Sequence, residues 1–154
     1  MTHQLARVPT LIRLSNPLAN ALLKLGLPMG PNTLVTIRGR RSGRARSMPL
    51  AVMAADGRRW IIGAYGDVNW TRNLRAAGEA DIQVDGRSVH VTATELEGAA
   101  AVGFFQETLP AYLKRFPALG RLFAKVFFRI VAPDITRDPR AAAVAHPVFE
   151  LREA

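Results

Sequence analysis

Residues 33–62 read TLVTIRGRRSGRARSMPLAVMAADGRRWII, and this stretch decides the fold. Leu34, Val35 and Ile37 sit in a β-favouring run from Thr33 to Arg38. Arg41-Ser42-Gly43-Arg44 has the composition of a turn, and a second strand follows from Arg46 to Ala54. Asp56-Gly57 is the dipeptide that two-residue hairpin loops favour, because both positions must take positive φ. Trp60-Ile61-Ile62 then supplies a third strand. Strands joined by such short turns pair antiparallel.

The pattern continues outward in both directions. Asn69 to Ala77 predicts a short helix stopped by Gly78, with Trp70, Asn73, Leu74 and Ala77 on one face. A second Asp-Gly turn, Asp85-Gly86, joins Ile82–Val84 to Val89–Thr94, where Val89, Val91 and Ala93 alternate with polar residues. Val148 to Leu151 is a last short strand. Several hairpins of similar length point to a small barrel rather than an open sheet. Upstream, Ser15-Asn16-Pro17 reads as a helix start, Leu18, Leu22 and Leu25 recur at helical spacing, and Leu27-Pro28-Met29-Gly30-Pro31 ends the run. Downstream, Gly98 to Leu109 is helical, with Ala101, Phe105 and Leu109 on one side, and Pro110 and Pro117 break the chain beyond it. The expected class is therefore α+β. One domain spans residues 1–154: an N-terminal helix at about 10–26, a barrel core at about 33–96, a helical segment at about 98–132 and a final strand at about 147–151.

Composition narrows the chemistry. With 49% hydrophobic residues the chain can bury a core. It has no cysteine, so disulfides and thiolate metal sites are excluded, and the three histidines, His3, His90 and His146, lack ligand spacing, so no metal site is expected. The net charge of +9 suits an anionic partner. The first ten residues, MTHQLARVPT, lack the apolar core of a secretory signal, and no apolar run is long enough to span a bilayer. A cytoplasmic protein is expected, with scope for peripheral contact on the inner face of the membrane.

That scope comes from Ala118 to Val131. Leu119, Leu122, Phe123, Val126, Phe127 and Ile130 form an apolar stripe, Arg121, Lys125 and Arg129 a basic row opposite, and no acidic residue occurs between Glu107 and Asp134. The pattern fits a helix lying on an anionic membrane or capping a greasy channel, and also an ordinary helix packed on the core with a charged outer face.

Catalytic signatures are few. There is no G-x-S-x-G elbow, no G-x-G-x-x-G and no P-loop, and no residue is assigned as catalytic. An enzyme so poor in acids, bases and thiols relies on a cofactor for the hard step. The basic turn is the feature that remains. Guanidinium groups bind phosphate in bidentate fashion, and Arg40, Arg41, Ser42 and Arg46 could surround one anionic tail, although strand alternation turns only some of them to one side. Trp70, at a helix start, can stack on a ring or serve as a core anchor. A nucleic-acid module is disfavoured because the chain lacks the interleaved aromatics of a single-strand groove.

Taken together, GRRSGRARSMPL, IIGAYG and NWTRNLRAAG, in this order and spacing, resemble the signature of the deazaflavin-dependent nitroreductase family over about residues 34–96. The resemblance implies a split antiparallel β-barrel with a crossover helix and C-terminal helices. It also implies the deazaflavin coenzyme F-420, whose phosphorylated, polyglutamylated tail is strongly anionic. On that basis Arg40, Arg41, Ser42 and Arg46 hold the tail. Ser47, Met48, Pro49 and Leu50 run along the cofactor. Ile62, Gly63, Ala64 and Tyr65 line the ring side, and Asn69, Trp70 and Asn73 close the site. Family members pass hydride from the reduced cofactor to quinones, enones or nitro compounds, with Tyr65, Phe105 and Tyr112 as the implied pocket for a small apolar acceptor. Relatives often carry serine and lysine where this chain has Ala64 and Tyr65, and several C-terminal tyrosines where it has Tyr112 alone. A quinone or enone is therefore expected before a nitro compound. An FMN-binding split barrel, or a protein that holds cofactor without turnover, is the alternative, and a homodimer is compatible with either.

Overall fold

The structure, a computed structural model, describes residues 32–154. The N-terminal helix expected at about residues 10–26 lies outside the described residues. Both Asp-Gly pairs turn as required: Asp56 and Gly57 take φ of 53° and 75°, and Asp85 and Gly86 take 49° and 76°. They join β2 (Ala45–Ala55) to β3 (Arg58–Ile62), and β4 (Glu79–Val84) to β5 (Arg87–Glu95). β1 (Asn32–Arg38) precedes them and β6 (Val148–Glu153) ends the chain.

The six strands close into an antiparallel barrel in the order β1-β2-β3-β6-β5-β4, as the expected fold class requires. β6 runs to Glu153 rather than Leu151, and its place is central. It pairs with β3 on one side, Ile61 opposite Phe149, and with β5 on the other, Ala93 opposite Leu151. The seam between β1 and β4 is short: Val35 faces Ile82 and Thr36 faces Asp81.

Alternation sorts the strand residues into two cores. Val35, Ile37, Ile61, Ala80, Ile82, Val91, Phe149 and Leu151 fill the barrel, with Leu74 entering from a helix, α1 (Asn69–Ala77). Their neighbours along the strands point outward. Met53, Trp60 and Val148 meet Phe104, Phe105, Leu109, Ala132, Ile135 and Ala142 in a second core beneath the C-terminal helices. At about 1.5–3 kcal/mol per fully buried large apolar side chain, these two clusters are the main source of stability. Glu150, on the outward face of β6 and 7% exposed, is held in a fork by Arg58 (Nε and Nη2 at 3.2 and 3.1 Å). Arg152 Nε adds a third bond at 3.3 Å. The Arg58 guanidinium also lies 5.0 Å from the Trp60 ring centre, a cation–π contact.

The helical segment differs from expectation in two ways. Pro110 does not stop the helix that begins at Gly98. α2 (Gly98–Gly103) widens into a π turn over Phe104–Thr108, and α3 (Leu109–Leu113) continues from it. Leu109 N–H reaches back to Phe104 O across the wider turn, and Pro110, which has no N–H to offer, falls in the first turn after it. α4 (Ala118–Val131) has the expected bounds, but two further short helices follow: α5 (Asp134–Arg137) and α6 (Pro139–Ala145). α6 starts on a proline behind an N-cap, Asp138, whose Oδ1 accepts from the N–H of Arg140 and Ala141 at 3.1 and 3.2 Å.

Candidate active site

The basic stretch forms the β1–β2 turn. Gly39 N–H donates to Arg44 O at 2.8 Å and Gly43 N–H to Gly39 O at 2.9 Å, with Gly43 at φ 68°, a conformation glycine adopts at little cost. Ser42 Oγ accepts from Arg44 N–H at 3.2 Å, which fixes the hydroxyl on the turn and leaves its proton to donate. Arg38 Nη1 donates to Gly43 O at 2.7 Å and braces the bend.

One contact fixes where the turn points. Asn73, on α1 and 8% exposed, accepts at Oδ1 from Arg40 Nη1 (2.8 Å) and from Arg40 N–H (3.2 Å). Arg40 Nη1 also lies 3.5 Å from Asn69 O. Arg40, Asn69 and Asn73, distant in sequence, therefore meet. The IIGAYG segment reaches the same helix. A side chain on Gly63 would meet Thr71 Cγ2 at 3.0 Å, Gly66 O at 3.1 Å and Pro147 Cδ at 3.1 Å, so the close approach admits only glycine without strain.

The charges around α1 divide cleanly. Asp67, just before the helix, takes hydrogen bonds from Arg72 Nε (3.1 Å) and Arg75 Nη1 (3.2 Å). Partial burial pulls the Asp67 carboxyl upward, but the bonds from Thr71, Arg72 and Arg75 outweigh it and hold it below the ordinary carboxylate range. Arg75 is also forked onto Glu95 at 2.5 and 2.9 Å, which raises its pKa, the Glu95 hydrogen bonds being the main cause. Arg72 and Arg75 are thus neutralised by carboxylates. The side chains of Arg41, Arg44 and Arg46 are exposed, and among the described residues none has a carboxylate partner. No aspartate or glutamate occurs in the first 55 residues. Around α1, the cations without carboxylate partners lie on the β1–β2 turn and at the start of β2.

Val68 precedes α1 and cannot cap it with its side chain. Thr71 Oγ instead accepts Val68 N–H at 3.0 Å, and its proton can go either to Val68 O (2.7 Å) or to Asp67 Oδ1 (3.0 Å).

The register sorts the residues expected to run along a cofactor. Arg46 and Met48 lie opposite Ile37 and Val35, and Leu50 packs on the barrel core. Ser47 and Pro49 face the other way, beside Thr36 and Leu34, with Ser47 Oγ 2.7 Å from Thr36 Oγ. The four cannot share one face. Trp70 is half-buried on the barrel core, its ring 6.3 Å from that of Phe149, so it is an anchor with one side exposed. Ile62 ends β3 and packs on the second core. Ala64 and Tyr65 follow it, half-buried, and Tyr65 meets Phe127 of α4 edge-on at 6.4 Å. Burial pushes the Tyr65 phenol up, so it stays protonated at neutral pH. Phe105 and Tyr112 share the second core with Ile62. Phe105 is 2% exposed in the second core, its ring 5.2 Å from Phe104. Tyr112 packs against Phe116 at 5.1 Å, and burial also raises its phenol.

Sequence reasoning missed His146. It is 7% exposed, with Nε2 2.9 Å from both carboxylate oxygens of Asp134 and Nδ1 3.2 Å from Gly63 O. Both nitrogens face acceptors, and a neutral ring can donate to only one of them. The ring ties α5 to the Gly63 segment. The preceding alanines gave no sign that a buried polar group came after them.

A shallow open groove of about 750 Å³ lies at the other end of β2, against the Asp56-Gly57 turn. Its arginines are already paired: Arg58 and Arg152 with Glu150, Arg59 with Glu153, Arg115 with Asp56. It offers no spare charge to an anion, so it is not the candidate site.

The six-stranded closed barrel with its flanking helices defines a split-barrel protein. A family model described as F420H(2)-dependent quinone reductase matches residues 19–116, and the chain belongs to that family. Among solved structures, one described as an F420-H2 dependent reductase (FDR-A) is 21% identical, with a TM-score of 0.49, covering 79% of this chain and 94% of that one. One described as a domain-swapped dimer is 20% identical, with a TM-score of 0.51, covering 88% and 95%. A putative pyridoxamine 5′-phosphate oxidase from Listeria innocua is 8% identical, with a TM-score of 0.48, covering 89% and 91%. No curated protein matches the chain. Among the described residues, no helix is long and apolar enough to cross a membrane.

Proposed function

We propose that the protein is a reductase that draws hydride from reduced coenzyme F-420 and delivers it to a quinone-class acceptor. The observation that carries this reading is the set of uncompensated guanidinium groups, Arg41 and Arg44 on the β1–β2 turn and Arg46 at the start of β2, with the turn fastened to α1 through Arg40 and Asn73. In a chain of this family, that turn is a seat for the phosphorylated, acidic tail. Arg40 serves chiefly as the fastening, and Ser42 as part of the turn. Trp70 and the Gly63–Tyr65 segment border the space beside α1, where a flat ring would lie.

When bound, the reduced deazaflavin supplies a hydride. The acceptor gains two electrons and one proton with that hydride and a second proton from solvent, and leaves as a hydroquinone. The chain's own part is orientation. The arginines hold the anionic end, α1 fixes the turn, and Tyr65 Oη, a phenol protonated at neutral pH, offers a hydrogen bond to an acceptor oxygen. Enones and nitro compounds are further acceptors to compare.

The test is reoxidation of the reduced deazaflavin by a menadione-like quinone, read spectroscopically, beside a binding titration followed by tryptophan fluorescence. Arg41→Ala should weaken deazaflavin binding about tenfold, since a charge-assisted hydrogen bond is worth about 1.5–3 kcal/mol and an exposed one sits at the low end. Unchanged affinity would remove Arg41 from the site. Tight FMN binding without deazaflavin binding would overturn the reading.

A further inference from the structure

The outer face of α4 carries charge and apolar surface in an arrangement the barrel does not use. At about 100° per residue, Gly120, Ala124, Phe128 and Val131 form the inward side, and all four are half-buried. The apolar stripe, which the sequence left open between the core and a membrane, points away from the core. Leu119 is 70% exposed, Leu122 57%, Val126 48% and Ile130 77%, with Phe127 at its edge. Arg121, Lys125 and Arg129, also exposed, are not opposite this stripe; they run along its flank. Among the described residues none of these three has an acidic partner. Five large apolar side chains on one exposed face are unusual for a surface that meets only water.

We propose that α4 lies flat on a lipid bilayer bearing anionic headgroups, with Leu119, Leu122, Val126 and Ile130 in the acyl boundary and the basic row at headgroup level. The charge pattern selects this occupant. A basic flank without acids beside an apolar stripe is complementary to anionic lipid, whereas the same face on a second copy would set like charges together. Phe127, at the edge of the stripe, touches Tyr65. If the proposed function holds, α4 therefore brings the acceptor side of the site next to the membrane, where an apolar quinone resides. The docking surface itself does not depend on that function.

The full chain should cosediment with vesicles of phosphatidylcholine and phosphatidylglycerol, and poorly with phosphatidylcholine alone. Each basic residue near such a surface is worth about fivefold in partitioning, so replacing Arg121, Lys125 and Arg129 together with glutamine should lose on the order of a hundredfold. High salt should have the same sense of effect. Ile130→Glu should lose at least about tenfold, and its exposure means that the fold, checked by circular dichroism, should survive. No binding to anionic vesicles at low salt would overturn the proposal. So would binding that neither variant changes, or light scattering in which Ile130→Glu splits a dimer while vesicles remain unbound. Deazaflavin affinity, measured in the same variants without lipid, should stay at the wild-type value, so failure here is distinct from failure of the functional reading.

Discussion

Asn73 is the joint on which the candidate site turns, and replacing it separates architecture from ligand binding. Its Oδ1 accepts two bonds from Arg40, at 2.8 Å from the guanidinium and 3.2 Å from the backbone. A bond from a charged donor is worth about 1.5–3 kcal/mol, but Arg40 is exposed and solvent screening brings this to about 1. The backbone bond adds about 0.5–1.5. Asn73→Ala should therefore cost about 2 kcal/mol, which for a chain of this length lowers the melting temperature by about 4–8 °C. It should also loosen the turn and weaken deazaflavin binding. Asn73→Asp keeps the acceptor and faces it with a cation, so stability should hold or rise. It also sets a negative charge beside the turn, so deazaflavin affinity should fall. Thermal melts and fluorescence titrations on both variants decide the matter. If Asn73→Asp binds the cofactor as tightly as the parent, the turn is not its anion seat. If Asn73→Ala melts with the parent, the Arg40 bonds do not hold the turn.

Three further outcomes are expected. The Arg58 hydrogen bonds, chiefly, hold the Glu150 carboxyl below its ordinary value, against partial burial. Its stabilisation is therefore present above the usual glutamate pKa of about 4.3 and is lost as pH falls through the lower folded value. Because the arginines are exposed, Glu150→Gln should cost on the order of 1 kcal/mol at pH 7, and urea titrations from pH 7 to 3 should show that gap closing only below about pH 4. Gly63→Ala should overpack against Thr71, Gly66 and Pro147 and lose about 1–3 kcal/mol, read as a lowered melting temperature. His146→Leu removes the buried ring that links the Asp134 carboxylate to Gly63 O, although Gly63 O keeps the Gly66 N–H at 2.9 Å. A loss of about 2 kcal/mol in denaturant unfolding is expected, and an unchanged midpoint would show that water replaces the ring.

The features legible in the sequence were those that local chemistry determines. Asp56-Gly57 and Asp85-Gly86 turn as such pairs must, α1 ends where Gly78 takes φ 67°, and α4 begins directly after Pro117. What sequence could not give was long-range. Arg40 and Asn73 are 33 residues apart, and His146 and Gly63 are 83. α5 and α6 are too short for a period to show. Pro110 read as a break because a proline reports its missing N–H and not the wider turn that excuses it. The direction of α4 was open because an amphipathic pattern says which residues share a face and not what that face meets. Within the site, the arginine-rich segment was visible. That Arg40 was already occupied was not, since its partner Asn73 lies 33 residues further on.

The two-rung seam between β1 and β4 has a mechanical consequence. A hoop yields first where its clasp is narrowest, so opening of this cylinder is expected to begin between those strands and to carry the arginine bend, rooted on one of them, away from α1, which leads straight into the other. A guest that grips bend and helix together acts as a buckle. Its arrival should slow amide exchange at Val35 and Ile82, inside the wall and out of its reach.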